Sequence, residues 1–241
     1  MKDAKSRLRR VIGEEGVNKL AGCHVVLFGV GGVGGSCAEA LVRGGVGRLT
    51  FIDGDEVQLS NLNRQAIAFQ DTVGKRKVEV TCSMARGIYP DVDVAGIDAF
   101  VMPEDLEGVM AKVEGDVDYI IDAIDTVGTK LEIACYAQKA GIPLISSMGA
   151  ANKLDPTKLA FADLFSTQNC PLCRAMRKQA RSRGIERLQV LYSSEQPAKP
   201  VSEGAEGDSG DRRACLGTMS YMPPIMGQMI AGFVIRELLK K

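Results

Sequence analysis

Apolar positions along the chain fall into two alternating rhythms, short unbroken runs and longer stretches with helical spacing. HVVLFG at 24–29 reads as a strand buried on both faces, GVGGSCAEALVRGG at 32–45 as a helix with a small-residue start, and RLTFID at 48–53 as the next strand. A helical stretch at about 75–88 ends before Pro90, DVDVAGI at 91–97 is a strand, and Pro103 opens a short helix to about Lys112. DYIID at 118–122, a helix bracketed by Gly128 and Gly141, and IPLISSMGA at 142–150 repeat the alternation, and a turn follows at 152–156. This order predicts a doubly wound, Rossmann-like, mostly parallel α/β sheet.

The rhythm changes after Pro156. KLAFADL at 158–164 and RLQVLY at 187–192 read as strands around a basic helix from Pro171 to about Arg183, a smaller substrate-side extension of the same sheet. Residues 1–150 are thus expected to form the nucleotide-binding core and 151–241 the substrate-side half of one domain. Residues 193–213, rich in Ser, Glu, Gly, Pro and Asp, predict a mobile loop. MGQMIAGFVIRELL, apolar at helical spacing, predicts a final helix from Pro223 that docks on the core.

Composition narrows the partners. The 241 residues, 45% apolar and 25% charged, suit one sizeable core, and the formal net charge of +0 requires any polyanionic partner to meet a local patch. MKDAKSRLRR lacks a signal-peptide apolar stretch, and the late apolar run around 226–235 is too short to span a bilayer. A cytoplasmic protein without a membrane partner is expected. The seven scattered cysteines fit a reducing compartment, most of them as small core residues. His24 is the sole histidine and heads an apolar run, so it reads as structural; a Ser-His-Asp triad and a multi-histidine metal site are excluded.

The chemistry starts at GVGGVG, 29–34, a G-x-G-x-x-G match with Gly29, Gly31, Gly32 and Gly34 between strand and helix. Bare N–H groups and the helix dipole favour phosphate there. Asp53 follows about 20 residues beyond the loop, the spacing at which an acidic residue meets a ribose hydroxyl. Alone, this loop leaves ATP and a nicotinamide dinucleotide level. The next segment, DGDEVQLSNLNRQ at 53–65, is a polar loop carrying Asn61 and Arg64, with Lys77 farther on. An arginine fork and a compact lysine charge suit a triphosphate and the charge building on departing pyrophosphate.

GVGGVG, LTFIDGDEVQLSNLNRQ, VGKRKVEV and IIDAIDT, in that order, resemble the ThiF/MoeB superfamily, adenylating domains related to ubiquitin-activating enzymes. The resemblance implies that the glycine loop with Gly31 and Asp53 holds the adenosine side, with Asp55 beside it. It also implies that Ser60, Asn61, Arg64, Gln65 and Lys77 surround the phosphates of ATP, and that Asp125 coordinates magnesium. It further implies a homodimer in which an N-terminal arginine of one copy reaches the phosphates of the other; Arg7 is the candidate, with Arg10 second. Arg64, Lys77, Asp125 and Arg7 are then the catalytic set.

IPLISSMGAANKLDPTKLAFADLFSTQNCPL, RAMRKQARSRGI and LQVLYSSEQPAKP extend the resemblance, within that superfamily, to the tRNA threonylcarbamoyladenosine dehydratases. The implied reaction is ATP-dependent cyclisation of a threonyl carboxylate on a modified tRNA adenosine at position 37. The alternatives are activation of a sulfur-carrier protein's C-terminal glycine, which would make a sulfur-relay protein a partner, and a nicotinamide-dependent oxidoreductase. Six cationic residues lie between Arg174 and Arg187 against Glu186 alone. Arg174, Arg177, Lys178 and Arg181 share a helical face suited to tRNA phosphates. Cys170-Pro-Leu-Cys173 is a single C-x-x-C pair, and Cys215 has no partner cysteine nearby, so the four-thiolate zinc site of ThiF and MoeB is not expected. Cys215 is also the one candidate by location for a thioester-forming thiol, against a plain reading as a loop or core residue.

Overall fold

The structure is a computed structural model that describes residues 3–198 and 217–240. Seven strands form one sheet: β1 (His24–Phe28), β2 (Arg48–Ile52), β3 (Asp93–Ile97), β4 (Tyr119–Asp122), β5 (Leu144–Ser147), β6 (Leu159–Asp163) and β7 (Gln189–Ser193). Their order is β3-β2-β1-β4-β5-β7-β6. All neighbours pair in parallel except the edge pair β6 and β7, which is antiparallel with Leu159 opposite Ser193. The chain winds outward from β1 to one edge and then restarts at β4. The switch point therefore lies between β1 and β4, where α/β sheets open a crevice at the strands' carboxyl ends.

The central strands β1, β2 and β4 are mostly apolar because both their faces are covered, whereas the edge strand β3 buries only Val94. Val25 and Leu27 of β1 enter the core shared with α2 (Gly32–Arg43), α3 (Lys77–Ile88) and α7 (Met222–Lys240). Val26 and Phe28 enter the opposite core with α4 (Leu106–Met110) and α5 (Val127–Ala140). A third cluster joins α5, β7 and α6 (Pro171–Ala180) through Leu131, Met176 and Val190. Full burial of each such side chain contributes about 1.5–3 kcal/mol, which makes β1, with all five residues buried, the axis of the fold.

Several boundaries depart from the sequence-based reading. The helix expected from about Lys75 starts at Lys77, because Arg76 is extended. The short helix expected from Pro103 is a 3-10 turn leading into α4. The basic helix ends as α-helix at Ala180 and tightens into a 3-10 turn that Gly184 stops with φ 71. An N-terminal helix, α1 (Ser6–Ala21), buries Val17 and Leu20, with its path broken at Gly13, φ 71. The loop expected from Ser193 is anchored over its first part. Ser193 completes β7, Ser194 N–H donates to Lys158 O (3.0 Å), and Ala198 N–H donates to Asn152 O (2.8 Å). The rest of that expected loop, and Cys215, lie outside the described residues.

Candidate active site

The glycine loop is shaped by what surrounds its backbone. Gly29 leaves β1 with φ +81, and a Cβ there would sit 2.9 Å from the Ala123 carbonyl oxygen. A Cβ on Gly34 would overlap the Gly29 carbonyl, and one on Gly227 of α7 would overlap the Val33 carbonyl. The loop is therefore clamped between β4 and α7, and its glycines permit approaches that any side chain would block. The N-cap of α2 is Gly31, which offers no side chain to the first helical N–H groups, so those donors remain for an anion.

Asp53 ties this loop to the end of β2. Its carboxylate accepts the Val30 N–H and the Asp55 N–H, each at 2.8 Å. Asp55 in turn pairs with the buried Lys77, Nζ to Oδ2 2.6 Å. Asn61, buried, accepts the Gln58 N–H on Oδ1 at 3.1 Å and fixes the 3-10 turn Leu59–Asn61, while the exposed Ser60 offers its carbonyl oxygen to Arg64 at 2.9 Å. The Arg64 guanidinium also donates to Asn63 Oδ1 (2.8 Å), and its Cγ lies 3.5 Å from where a Cβ on Gly32 would stand. Gln65, 8% exposed, sets its amide beside Gly31; its Oε1 is buried with no hydrogen-bond partner among the described residues. Such an orphan acceptor costs about 1–3 kcal/mol, an expense that a bound donor removes.

Asp125 stands exposed beyond the carboxyl end of β4 and, among the described residues, accepts only a long 3.4 Å contact from Thr126 Oγ1. Sequence reading missed the device beneath it. Asp122 and Lys130, both fully buried, form an ion pair of 2.9 Å. Lys130 Nζ also donates to Ile124 O at 2.9 Å, and the Asp122 carboxylate accepts the Ile124 N–H at 3.2 Å and the Ser146 hydroxyl. Both backbone groups of Ile124, the residue before Asp125, are thus held from below. The signal was available: Lys130 shares a helical face with the apolar Ile133, Ala134 and Ala137, an unusual place for an unpaired charge. Arg76, likewise unforeseen, joins Asp98, Glu56 and Gly54 O and so braces the segment after β2.

Two expected groups lie apart from this crevice. Arg7 is exposed in the first turn of α1, whose neighbouring Leu8 packs by Gly45 at the end of α2 and whose Lys5 covers the Tyr89 ring after α3. That is the opposite end of the sheet from the glycine loop of the same chain. Arg174 and Lys178 on α6 and Arg181 in the 3-10 turn after it are exposed, Arg181 resting over the Phe165 ring at 5.4 Å. Arg177 departs from the shared-face expectation. It turns inward to donate to Thr167 O (3.0 Å), Leu164 O (3.4 Å) and the Thr167 hydroxyl, which removes it from the outward row.

A parallel sheet with its glycine loop, acidic strand end and Arg/Lys-bearing loop gathered at one switch point defines a nucleotide-binding α/β protein, and the chain belongs to the ThiF family, which matches residues 4–241. Its relatives narrow the comparison. The tRNA threonylcarbamoyladenosine dehydratase of Bacillus subtilis (strain 168) is 37% identical, over 98% of this chain and 94% of its own. Crystal structures of the Escherichia coli tRNA N6-threonylcarbamoyladenosine dehydratase with AMP and with ATP superpose with TM-scores of 0.86 and 0.84. They are 30% and 29% identical and cover 97% of this chain and 93% of theirs. The sulfur carrier protein ThiS adenylyltransferase of Bacillus subtilis, 35% identical, matches only 59% of this chain and 42% of its own.

Proposed function

We propose that this protein is an ATP-dependent tRNA threonylcarbamoyladenosine dehydratase. The observation that carries the reading is the crevice at the β1/β4 switch point. It joins an anion-ready helix start, an orphan buried amide oxygen at Gln65 and the Arg64, Lys77, Asp125 set, in a chain that matches a relative of that name nearly end to end. The glycine loop and Gln65 bind and orient ATP. Arg64 and Lys77 face the phosphates and offset the charge that grows on departing pyrophosphate. Magnesium fits the exposed Asp125 carboxylate, since that ion takes one or two protein carboxylates together with phosphate oxygens; when bound, it neutralises phosphate charge.

Within this scheme the threonyl carboxylate attacks the α-phosphorus of ATP and pyrophosphate leaves. The substrate's ureido nitrogen then attacks the activated carbonyl, and AMP leaves with the carboxylate oxygen. The nucleoside has lost one water. Because the attack is intramolecular, orientation alone lowers the barrier by about 7–11 kcal/mol in well-aligned cases, and no protein nucleophile or histidine is required. The protein's part is to hold the two groups together and exclude water.

The remaining roles follow from placement. The exposed Arg174, Lys178 and Arg181 suit backbone phosphates of tRNA. Arg7, remote from its own glycine loop, suits delivery to the site of a second copy in a homodimer. We place the protein in the cytoplasm: its scattered cysteines, without the spacing of a disulfide framework, suit a reducing compartment, and among the described residues no helix is long and apolar enough to cross a membrane. Incubation with ATP, magnesium and threonylcarbamoyladenosine-bearing tRNA, followed by nucleoside mass spectrometry, should show loss of one water. An unchanged nucleoside under conditions where ATP binds rejects the proposal.

A further inference from the structure

The C-x-x-C pair that completes no zinc site has a definite geometry. Cys170 is the N-cap of α6, and its sulfur accepts the Cys173 N–H at 3.4 Å. That contact sets the two cysteines next to each other across one helical turn. The Lys153 ammonium lies close enough to act electrostatically on both, and Arg177 acts on Cys173. Cys170, buried with 5% exposure, keeps a sliver of surface that the fully buried Cys173 lacks. The hydrogen bond from Cys173, opposed by burial and aided by the backbone N–H groups and Lys153, lowers the Cys170 thiol below its ordinary value; the same pairing raises Cys173. A nucleophilic thiol with a protonated resolving thiol beside it is the arrangement on which reversible oxidation depends.

We infer that Cys170 and Cys173 form a peroxide-sensitive dithiol whose closure to a disulfide lowers activity at the nucleotide site. The Cys170 thiolate attacks one oxygen of hydrogen peroxide, the O–O bond breaks, and the departing hydroxide takes a proton to become water. Cys170 is then a sulfenic acid. The Cys173 sulfur attacks it, the S–S bond forms, the S–O bond breaks, and a second water leaves with the Cys173 proton. Two thiols are oxidised and one peroxide is reduced.

The link to the site is a continuous set of contacts. Lys153, on which both cysteines act electrostatically, donates to the Glu195 carbonyl, and the Glu195 carboxylate accepts the N–H groups of Leu154 and Asp155 at 3.0 Å. The adjacent Asn152 exchanges hydrogen bonds with Gly217 of 2.9 and 3.0 Å. Next to Gly217, the Thr218 carbonyl accepts from Asn63 Nδ2 at 3.0 Å, and Asn63 Oδ1 accepts from Arg64 at 2.8 Å. Lys153, which the dithiol influences electrostatically, therefore sits at one end of a bonded network whose other end is the arginine assigned to the phosphates. A network of this kind transmits only if its states differ in free energy, which the experiment measures.

The test uses the full chain. Trypsin releases residues 159–174, which hold Cys170 and Cys173 and no other cysteine. After stoichiometric hydrogen peroxide and alkylation, this peptide should be two hydrogens lighter than its reduced form and carry no alkyl group, reversibly with dithiothreitol. Cys173→Ser should stop at a Cys170 sulfenic acid that dimedone traps. Dehydration turnover, an arm that rests on the proposed function, should fall by about fivefold or more, the lower end of ordinary coupling between sites. In Cys170→Ser it should not respond to peroxide. Full alkylation of both cysteines after peroxide, stoichiometric zinc that blocks their oxidation, or a disulfide with undiminished turnover would each overturn the inference. Reduced protein that dehydrates nothing refutes the functional reading instead, while the peptide still reports on the dithiol.

Discussion

Replacing Lys130 with methionine tests the buried pair under the candidate site. Both partners are fully buried at 2.9 Å, and the substitution leaves the Asp122 carboxylate, among the described residues, with only the Ile124 N–H and the Ser146 hydroxyl. Removing one partner of a buried pair costs about 3–5 kcal/mol, because the surviving charge stays desolvated. At about 2–4 °C per kcal/mol for a chain of this size, the melting temperature should fall by roughly 6–20 °C. Adding Asp122→Asn removes the stranded charge and should restore most of that loss. Activity should not return, since nothing then donates to Ile124 O and the turn before Asp125 is loosened. Calorimetry and ATP titration of the single and double variants separate the two effects. A melting temperature for Lys130→Met within about 2 °C of the parent, or full nucleotide affinity in the double variant, refutes the reasoning.

Three further outcomes follow from the same geometry. Arg64→Lys keeps a charge but loses the planar fork, so kcat should fall by about 100-fold or more with the melting temperature unchanged; steady-state kinetics and a thermal scan decide it. Arg177→Ala should cost about 1.5–3 kcal/mol by freeing the Thr167 segment, whereas Arg174→Ala should leave stability alone and reduce the salt slope of tRNA binding by about 1. Burial holds His24 below its ordinary value, opposed by its hydrogen bond to Asp116 O and by Asp93 and Asp118, and aided by Arg48; Thr50 occupies its other nitrogen. The folded state therefore resists protonation. Stability should drop as pH falls through about 6.5, where the unfolded histidine takes up its proton, and His24→Gln should flatten that part of the melting-temperature profile.

The parts of the fold that were legible in the sequence are those whose physics is local. The run at 24–29 reads as a doubly covered strand and the glycines after it as a close backbone approach, because both follow from apolar continuity and missing side chains. The polar segment at 53–65 could be picked out for the same reason, since charge and amide groups displaced an ordinary crossover helix. Non-local choices were not legible. The antiparallel docking of β6 on β7 is a matter of tertiary pairing, and α1 was hidden by Gly13, Gly16 and a dense run of charge. Helical spacing placed Arg177 with its neighbours but could not tell that Thr167 would capture it. Lys130 was passed over because a cation in an apolar stretch reveals its meaning only when Asp122 stands beside it.

The central claim is that a carboxylate on the substrate is activated by attachment to AMP. Its most direct measurement uses tRNA whose threonyl carboxylate carries the heavy oxygen isotope, incubated with the protein, ATP and magnesium, with the nucleotide products weighed by mass spectrometry. The account predicts one heavy oxygen in the phosphate of released AMP and none in pyrophosphate. Heavy oxygen in inorganic phosphate, with ADP as the nucleotide product, would contradict it.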